Sequence, residues 1–351
     1  MRLILGSYKV VAMKELYIFG AGASHACCRT PLGKDLVWNY FEDTSTMYEI
    51  GHGGGPSSRD LDAKNKEYQL FGDFLKSMGG RYYEYWQKCM GESMMFSPEV
   101  EKHHYIDEVM EVLNSKGDEQ GIKLIKKLTV EHITKMTDEV QGTLYKQFVQ
   151  NLKGRRQGEV AIFSFNYDCL LREDSQSGIG FDYLIPFDVI NPGNLSKNEK
   201  TVNFPLIKLN GSLDWAIDTS TNKISRLCAY LVTRNKYSFE TSVEPYIFLP
   251  HQKKDGFIKI LWERAVDEIS EATKMVVIGY SFPAYDKDVI RLFSENLKAS
   301  TEIEVIDYYN NTDVLKVRRM TEIERRYRQL FPNVSKIDVF LDGFQGYIDG
   351  V

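Results

Sequence analysis

The stretch Glu15-Leu16-Tyr17-Ile18-Phe19-Gly20-Ala21-Gly22-Ala23-Ser24 decides the fold class. Its first five residues are too few for a core helix and suit a buried strand, which then runs into a turn that only small residues permit. A helix is expected soon after, and a helical pattern follows Pro31 (PLGKDLVWNYF), with proline at an early position that helices tolerate. Strand, glycine turn and helix in that order aim backbone N–H groups and a helix N-terminus at a phosphate. The place of a third glycine in G-x-G-x-x-G is taken by His25, so the pattern is G-x-G-x-S rather than the dehydrogenase fingerprint. A tight turn without a ligand is the alternative reading of so short a motif.

Similar apolar runs recur at Val160–Phe165, Pro205–Leu209, Tyr246–Leu249, Lys274–Ile278, Ile303–Ile306 and Ile337–Phe340. Runs of four to six rich in Val, Ile and Phe are the mark of buried parallel strands. Amphipathic stretches of helix length lie between several of them: Phe257–Ala272, Asp286–Lys298 and Asp313–Leu330. The alternation predicts a doubly wound α/β fold, a Rossmann-like and mostly parallel sheet. The loop Gly51–Ser58 opens a different section, lasting to about Arg156, in which Leu124, Leu128, Met136, Val140, Leu144, Phe148 and Leu152 recur mostly at intervals of four. That spacing forms one apolar helical stripe. The expected organisation is a nucleotide-binding domain of residues 13–50 and 157–345, a helical insertion at 51–156, and a tail at 1–12. Met13 precedes the first strand and is the expected natural start; a native mass that includes residues 1–12 would contradict this.

Composition narrows the function classes. Of the 351 residues 43% are hydrophobic and 26% charged, which excludes disorder as the main theme. A net charge of −5 leaves no global basic field for nucleic acid or an anionic membrane. No apolar run reaches the roughly 18 to 20 residues of a membrane helix. The five cysteines, an odd number without a C-x-x-C pair, suit a reducing cytoplasm and argue against a disulfide framework or a four-cysteine zinc site.

Four further strand ends carry small or polar groups. In Phe163-Ser164-Phe165-Asn166-Tyr167-Asp168, the Asn166 amide and the Asp168 carboxylate can orient a ribose or a water where open α/β sheets bind ligands. Equally, Asp168 can cap a following helix (CLLRED) while Asn166 satisfies a loop. Leu206–Ser212 ends in Asn210-Gly211-Ser212, and Val276–Pro283 carries Gly279-Tyr280-Ser281 with Asp286 and Asp288 beyond. Ile303–Asp307 ends in Asp307, an acceptor for ribose hydroxyls.

Taken in order over residues 15–310, these motifs resemble the SIR2-like family, the sirtuin-fold proteins of many bacterial anti-phage systems. That family reads G-A-G-x-S, T-x-N-Y-D, K-L-H-G-S, then G-Y-S with a downstream Asp. Gly20–Ser24 matches the first, Phe165–Asp168 the second without its leading Thr, and Gly279–Ser281 with Asp286 the fourth; Trp262 and Ala265 fit a W-x-x-A habit. The resemblance implies a sheet binding NAD or an ADP-ribose-type nucleotide. Gly20, Ala21, Gly22 and Ser24 would lie near the pyrophosphate, Gly279, Ser281 and Asp307 near the adenosine, and Asn166 and Asp168 at the reaction centre. It also implies NAD glycohydrolysis in defence, gated by oligomerisation or a partner protein.

The departure that matters is Asn210, which stands where the family has the His of K-L-H-G-S. An amide accepts no proton at useful pH, and general-base help is typically worth ~10²–10⁴ in rate. Positioning and charge stabilisation can still support slow NAD hydrolysis, whereas deacetylation, by resemblance, needs the base. The runner-up is therefore a catalytically silent NAD or ADP-ribose binding module or assembly subunit. His25 and His251 are candidate substitutes, though a loop histidine is more often simply solvated. The adjacent His103 and His104 lack metal-ligand spacing, so no metal is expected. The aromatics of Arg81–Trp86 read as packing or an oligomer contact, and the basic run Lys316–Arg328 as a solvated helix face.

Overall fold

The computed structural model describes residues 13–30, 106–138, 143–171, 177–185, 202–226, 243–254 and 256–350. The first run forms strand β1 (Glu15–Phe19), and helix α1 (Ala21–Cys28) begins one residue later. Helices α2 (Ile106–Lys116), α3 (Glu119–Asp138) and α4 (Thr143–Asn151) follow. Then come β2 (Val160–Ser164), β3 (Ile179–Asp182), β4 (Val202–Ile207), β5 (Gly211–Asp218), β6 (Lys223–Arg226) and β7 (Val243–Ile247). The last third alternates: α5 (Phe257–Glu271), β8 (Lys274–Ile278), α6 (Lys287–Asn296), β9 (Glu302–Ile306), α7 (Asp313–Leu330), β10 (Lys336–Phe340) and α8 (Gly343–Gly350).

Seven strands form one sheet in the order β10-β9-β8-β1-β2-β4-β3, and every pairing in it is parallel. The doubly wound, Rossmann-like expectation is met. From β1 the chain passes to β2, out to the edge strand β3 and back in to β4, then returns to β8 on the other side and winds outward through β9 and β10. The reversal falls between β1 and β8, whose carboxyl ends flank the crevice where such sheets bind ligands.

Both faces of β1 are buried, which is why its run is apolar without alternation. Tyr17 and Phe19 pack on Phe148 of α4, and Phe19 also meets Tyr145 and Phe344 at ring separations of 5.3 and 5.6 Å. Each such ring pair adds about 0.5–1.5 kcal/mol beyond burial. On the opposite face Phe163 of β2 packs on Phe293 of α6. Helix α4 falls inside the stretch 51–156 expected as an insertion, yet it belongs to the sheet's own core, and Leu144, Phe148 and Leu152 of its stripe are buried. The side chains of Leu124, Leu128, Met136 and Val140, the pattern after Pro31, and Arg81–Trp86 lie outside the described residues.

Two expectations are corrected. The strand expected at Pro205–Leu209 begins at Val202, because β3 pairs with its first half. Pro205 thus sits where the strand is paired on one side only, which suits its missing N–H. The run Tyr246–Leu249, expected as a parallel strand of the main sheet, is instead β7, antiparallel to β5 in a separate three-stranded sheet of order β6-β5-β7. Apolar patterning marks a strand without naming its partner.

Candidate functional site

The strand ends at the reversal are held together by glycines. Gly20 is extended (φ −119°, ψ −179°) as the N-cap of α1. Its N–H donates to Ile278 O at 3.0 Å, and the Gly22 N–H donates to Gly279 O at 3.0 Å. A Cβ on Gly20 would stand 2.5 Å from Gly279 O, and one on Gly22 2.9 Å from Gly279 Cα. Gly279 itself has φ +65°, and a Cβ there would stand 2.2 Å from Ala23 N. The glycines are therefore required by the β1/β8 seam before any ligand arrives. With Gly22 N–H spent on Gly279 O and Ala23 N–H on Gly20 O at 2.9 Å, Ala21 N–H at the positive end of α1 is left without a backbone acceptor among the described residues.

Behind this turn lies a buried polar network. Asn166 Nδ2 donates to Gly20 O at 2.9 Å and to Ser24 Oγ at 2.8 Å, with Tyr145 OH 3.3 Å away. Ser24 Oγ gives its one hydrogen to Asp168 Oδ2 at 2.7 Å, so its 2.9 Å contact with Tyr145 OH is a bond that the phenol donates. Asp168 Oδ1 accepts the Leu170 N–H at 3.1 Å, and Lys208 Nζ donates to Asp168 O at 2.5 Å. Burial, and then the Asp168 charge, push the Tyr145 phenol well above its ordinary range. The capping alternative for Asp168 is realised as a local turn, without a helix over Cys169–Leu171. With both Asn166 amide hydrogens turned into the protein, Oδ1 is the atom this side chain offers to the cavity it lines.

That cavity measures about 940 Å³, inside the ~300–1,000 Å³ usual for small-molecule and cofactor sites. It brings together Ala21, Gly22, Ser24, Asn166, Asp168, Asn210, Gly279, Ser281 and Asp307, residues from five separate strand ends. Gly20 stands behind the wall and is not among the lining residues. Thr30 Oγ1, buried in the lining, has no hydrogen-bond partner among the described residues, the state of a hydroxyl that a polar ligand can satisfy.

Asn210 Nδ2 donates to Phe165 O at 3.3 Å, one residue before Asn166, and Asn210 Oδ1 accepts from Lys254 Nζ at 2.9 Å. The Lys254 ammonium also lies 4.8 Å from the centre of the Trp262 ring. Burial lowers the pKa of Lys254, and Asp286 and Asp288 oppose that shift. Phe165 stacks on Tyr280 at 4.1 Å, and Tyr280 OH donates to Asp286 Oδ2 at 2.6 Å. Burial raises the pKa of Asp286 against that bond and the Lys254 charge. At the far end Asp307 Oδ2 accepts from Arg319 Nη2 at 2.8 Å, so the basic run of α7 is not wholly solvated: Arg319 and Arg326 line the cavity. His251 lines it too, whereas His25 is exposed, with Nδ1 2.8 Å from Thr30 O.

Sequence reasoning missed Tyr145, Lys254 and the Tyr280–Asp286 bond. Tyr145 sits one position off the apolar stripe of α4, and nothing local distinguishes it. Lys254 had a faint signal in the polar run His251-Gln252-Lys253-Lys254 directly after a strand.

No family model and no curated protein matches the chain. Several solved structures do. A complex of a Sir2 homologue with NAD is 13% identical, with 96% of this chain and 86% of that one covered at a TM-score of 0.44. A mutant Sir2 homologue in complex with 2'-O-acetyl ADP ribose is 12% identical, with 97% and 92% covered and a TM-score of 0.44. A structure described as the basis for the mechanism and regulation of Sir2 enzymes is 11% identical, with 96% and 91% covered and a TM-score of 0.42. These are likenesses of fold. Among the described residues no helix is long and apolar enough to cross a membrane, and no cluster of three or more His, Cys, Asp or Glu is arranged to hold a metal.

Proposed function

We propose that the cavity binds NAD or an ADP-ribose-type nucleotide and that the protein is a SIR2-like NAD glycohydrolase, releasing nicotinamide and ADP-ribose. The observation that carries this reading is the convergence of all five strand-end motifs, spread over nearly 290 residues of sequence, on one cavity. The residues fit such a ligand. Ala21 N–H and the positive end of α1 suit a pyrophosphate, Thr30 Oγ1 wants a polar partner, and Ser281 and Asp307 supply polar groups for an adenosine ribose.

Asn166 holds the reaction centre by division of labour. Its amide hydrogens fix the turn and Ser24, while Oδ1 accepts from a ribose hydroxyl or a water and favours positive charge developing on the sugar. Asp168 is a positioning residue: both its carboxylate oxygens accept bonds within the wall, and it keeps Ser24 and through it Asn166 in place. Asn210 cannot take a proton, but it tethers Lys254, which can. Once deprotonated, Lys254 serves as the proton acceptor beside Asn210, which stands where the family has its His. The family resemblance extends the reading to an anti-phage effector that depletes NAD, restrained by assembly state or a partner protein.

Incubation of purified protein with NAD, followed by mass-spectrometric quantification of nicotinamide and ADP-ribose, tests the activity. Equimolar products from the native protein are expected; intact NAD despite measurable NAD binding overturns hydrolysis and favours the silent module. Asn210 supplies the observation behind that second reading, since cleavage that appears only in Asn210→His would identify a pseudoenzyme. The base must be unprotonated, so the rate is expected to rise with pH, through a midpoint below the ordinary lysine value of ~10.4, and to flatten in Lys254→Met. A pH-independent rate in the native protein would remove Lys254 from the proton transfer.

A further inference from the structure

Residues 165–168 follow β2 outside any strand, so their carbonyls need donors from elsewhere. Three of them find those donors in one segment, Lys208–Leu213, which runs from the end of β4 into β5. Asn210 Nδ2 donates to Phe165 O at 3.3 Å, Leu213 N–H to Tyr167 O at 2.9 Å, and Lys208 Nζ to Asp168 O at 2.5 Å. Cys169 Sγ lies 3.6 Å from Ser212 Oγ in the same seam. The small sheet backs it from behind: Phe248 N–H donates to Asn210 O at 2.9 Å, and Tyr167 OH donates to Phe248 O at 2.8 Å.

Of these three carbonyl donors Lys208 alone brings a charge, and it is buried. Taking an ammonium out of water is costly unless the protein compensates it. Compensation comes from Asp168 O and from Asp214 of β5, a buried carboxylate. Burial pushes the Asp214 carboxyl up, but the charges of Arg226 and Lys208 outweigh it and hold the group below its ordinary range. Bonds from ionised donors are the stronger ones, so the seam grips hardest at Asp168. From there the route to the reaction centre is two bonds long: Asp168 Oδ2 accepts from Ser24 Oγ at 2.7 Å, and Ser24 Oγ accepts from Asn166 Nδ2 at 2.8 Å.

We propose that Lys208 is a positioning residue of the reaction centre: by holding the backbone of Asp168 it fixes Ser24 and Asn166, and it ties the aim of Asn166 Oδ1 to the small sheet β6-β5-β7. Lys208 touches no ligand in this role and acts through Asp168. Ser281 and Asp307, beyond the ends of β8 and β9, take no part in this chain of bonds. Loss of the Lys208 ammonium therefore separates the geometry of the reaction centre from the affinity of the cavity.

Hydrogen exchange followed by mass spectrometry reads the seam without any activity. In Lys208→Met the amides of residues 165–170 and of Leu213 are expected to exchange about tenfold faster than in the native protein, with β1 unchanged, the pattern of a local opening. Unchanged exchange in folded Lys208→Met overturns the proposal. The catalytic consequence rests on the glycohydrolase reading: kcat for nicotinamide release should fall about 30-fold, since small misplacements of a reacting group cost up to ~10²-fold. The Kd for ADP-ribose should move by less than about threefold, the split expected of a residue that serves the reaction and not ground-state binding. Lys208→Arg, which keeps the charge, should recover most of the loss. In an Asn166→Ala background Lys208→Met should lower kcat by no more than about twofold further, as for residues that act as a unit. A full further loss there, or faster exchange with native kcat, would refute the positioning role. Where Lys208→Met fails to fold, Lys208→Gln, neutral yet still a donor, carries the same measurements. Absence of NAD cleavage in the native protein would refute the glycohydrolase reading and leave the exchange result standing.

Discussion

Asn166→Ala is expected to lower nicotinamide release from NAD by about 100-fold or more, the usual cost of removing one preorganised polar group from a reaction centre. The same change removes the amide donor to Gly20 O and Ser24 Oγ, and the net loss of a buried hydrogen bond costs about 0.5–1.5 kcal/mol. Loss of activity in this variant alone is therefore ambiguous between chemistry and a loosened turn. Tyr145→Phe resolves it. The ring stays packed on Phe19 and Phe344, the phenol bond to Ser24 is lost at a stability cost of similar size, and Asn166 Oδ1 is untouched. Urea denaturation should show both variants destabilised, with Tyr145→Phe retaining NAD cleavage within roughly tenfold of the native rate. Equal loss of activity in both would mean that the network's rigidity, and not Oδ1, is what the reaction needs.

Gly279→Ala is expected to destabilise the protein by about 2–5 kcal/mol. A left-handed backbone costs a non-glycine residue roughly 1–2 kcal/mol, and forcing an atom into a closed contact adds about 1–3 kcal/mol. The contact here is with backbone, since the added Cβ would stand 2.2 Å from Ala23 N, so no side chain can rotate away. Gly154→Ala is the internal control: φ is +90° there, and an added Cβ meets nothing within 4 Å. It carries only the backbone term. The excess in Gly279→Ala measures the β1/β8 seam, and it should be accompanied by weakened nucleotide binding, because Gly22 and Gly279 share one wall. Equal destabilisation of the two variants would show that the seam yields. The same geometry makes Gly22→Asp a poor probe of ligand contact, since a Cβ at Gly22 would meet the Gly279 backbone at 2.9 Å.

Legibility in the sequence followed burial. β1 and β8 have the limits that their apolar runs suggest, because strands covered on both faces leave no polar position to blur their ends. β5 passed unnoticed because it begins in the small residues Gly211-Ser212 and carries Asp214, which Arg226 of β6 neutralises at 2.9 Å only once the hairpin forms. The site was legible as motifs, since glycine, serine and asparagine at strand ends are local signals. Their mutual arrangement was not, because Asn166 bonds Gly20 across 146 positions and Lys254 bonds Asn210 across 44.

By itself, then, the sequence determined the parallel α/β architecture, the strand ends that carry polar groups, and the absence of an imidazole at Asn210. Those are properties of residue type and local spacing. Only the tertiary structure decided that the glycines serve a strand seam, that Asp168 and Ser24 face inward, that Tyr145 joins them, and that Lys254 stands beside Asn210. Such choices depend on which buried donor meets which acceptor when distant segments pack, a requirement set by desolvation in the folded chain and written in no single stretch of it.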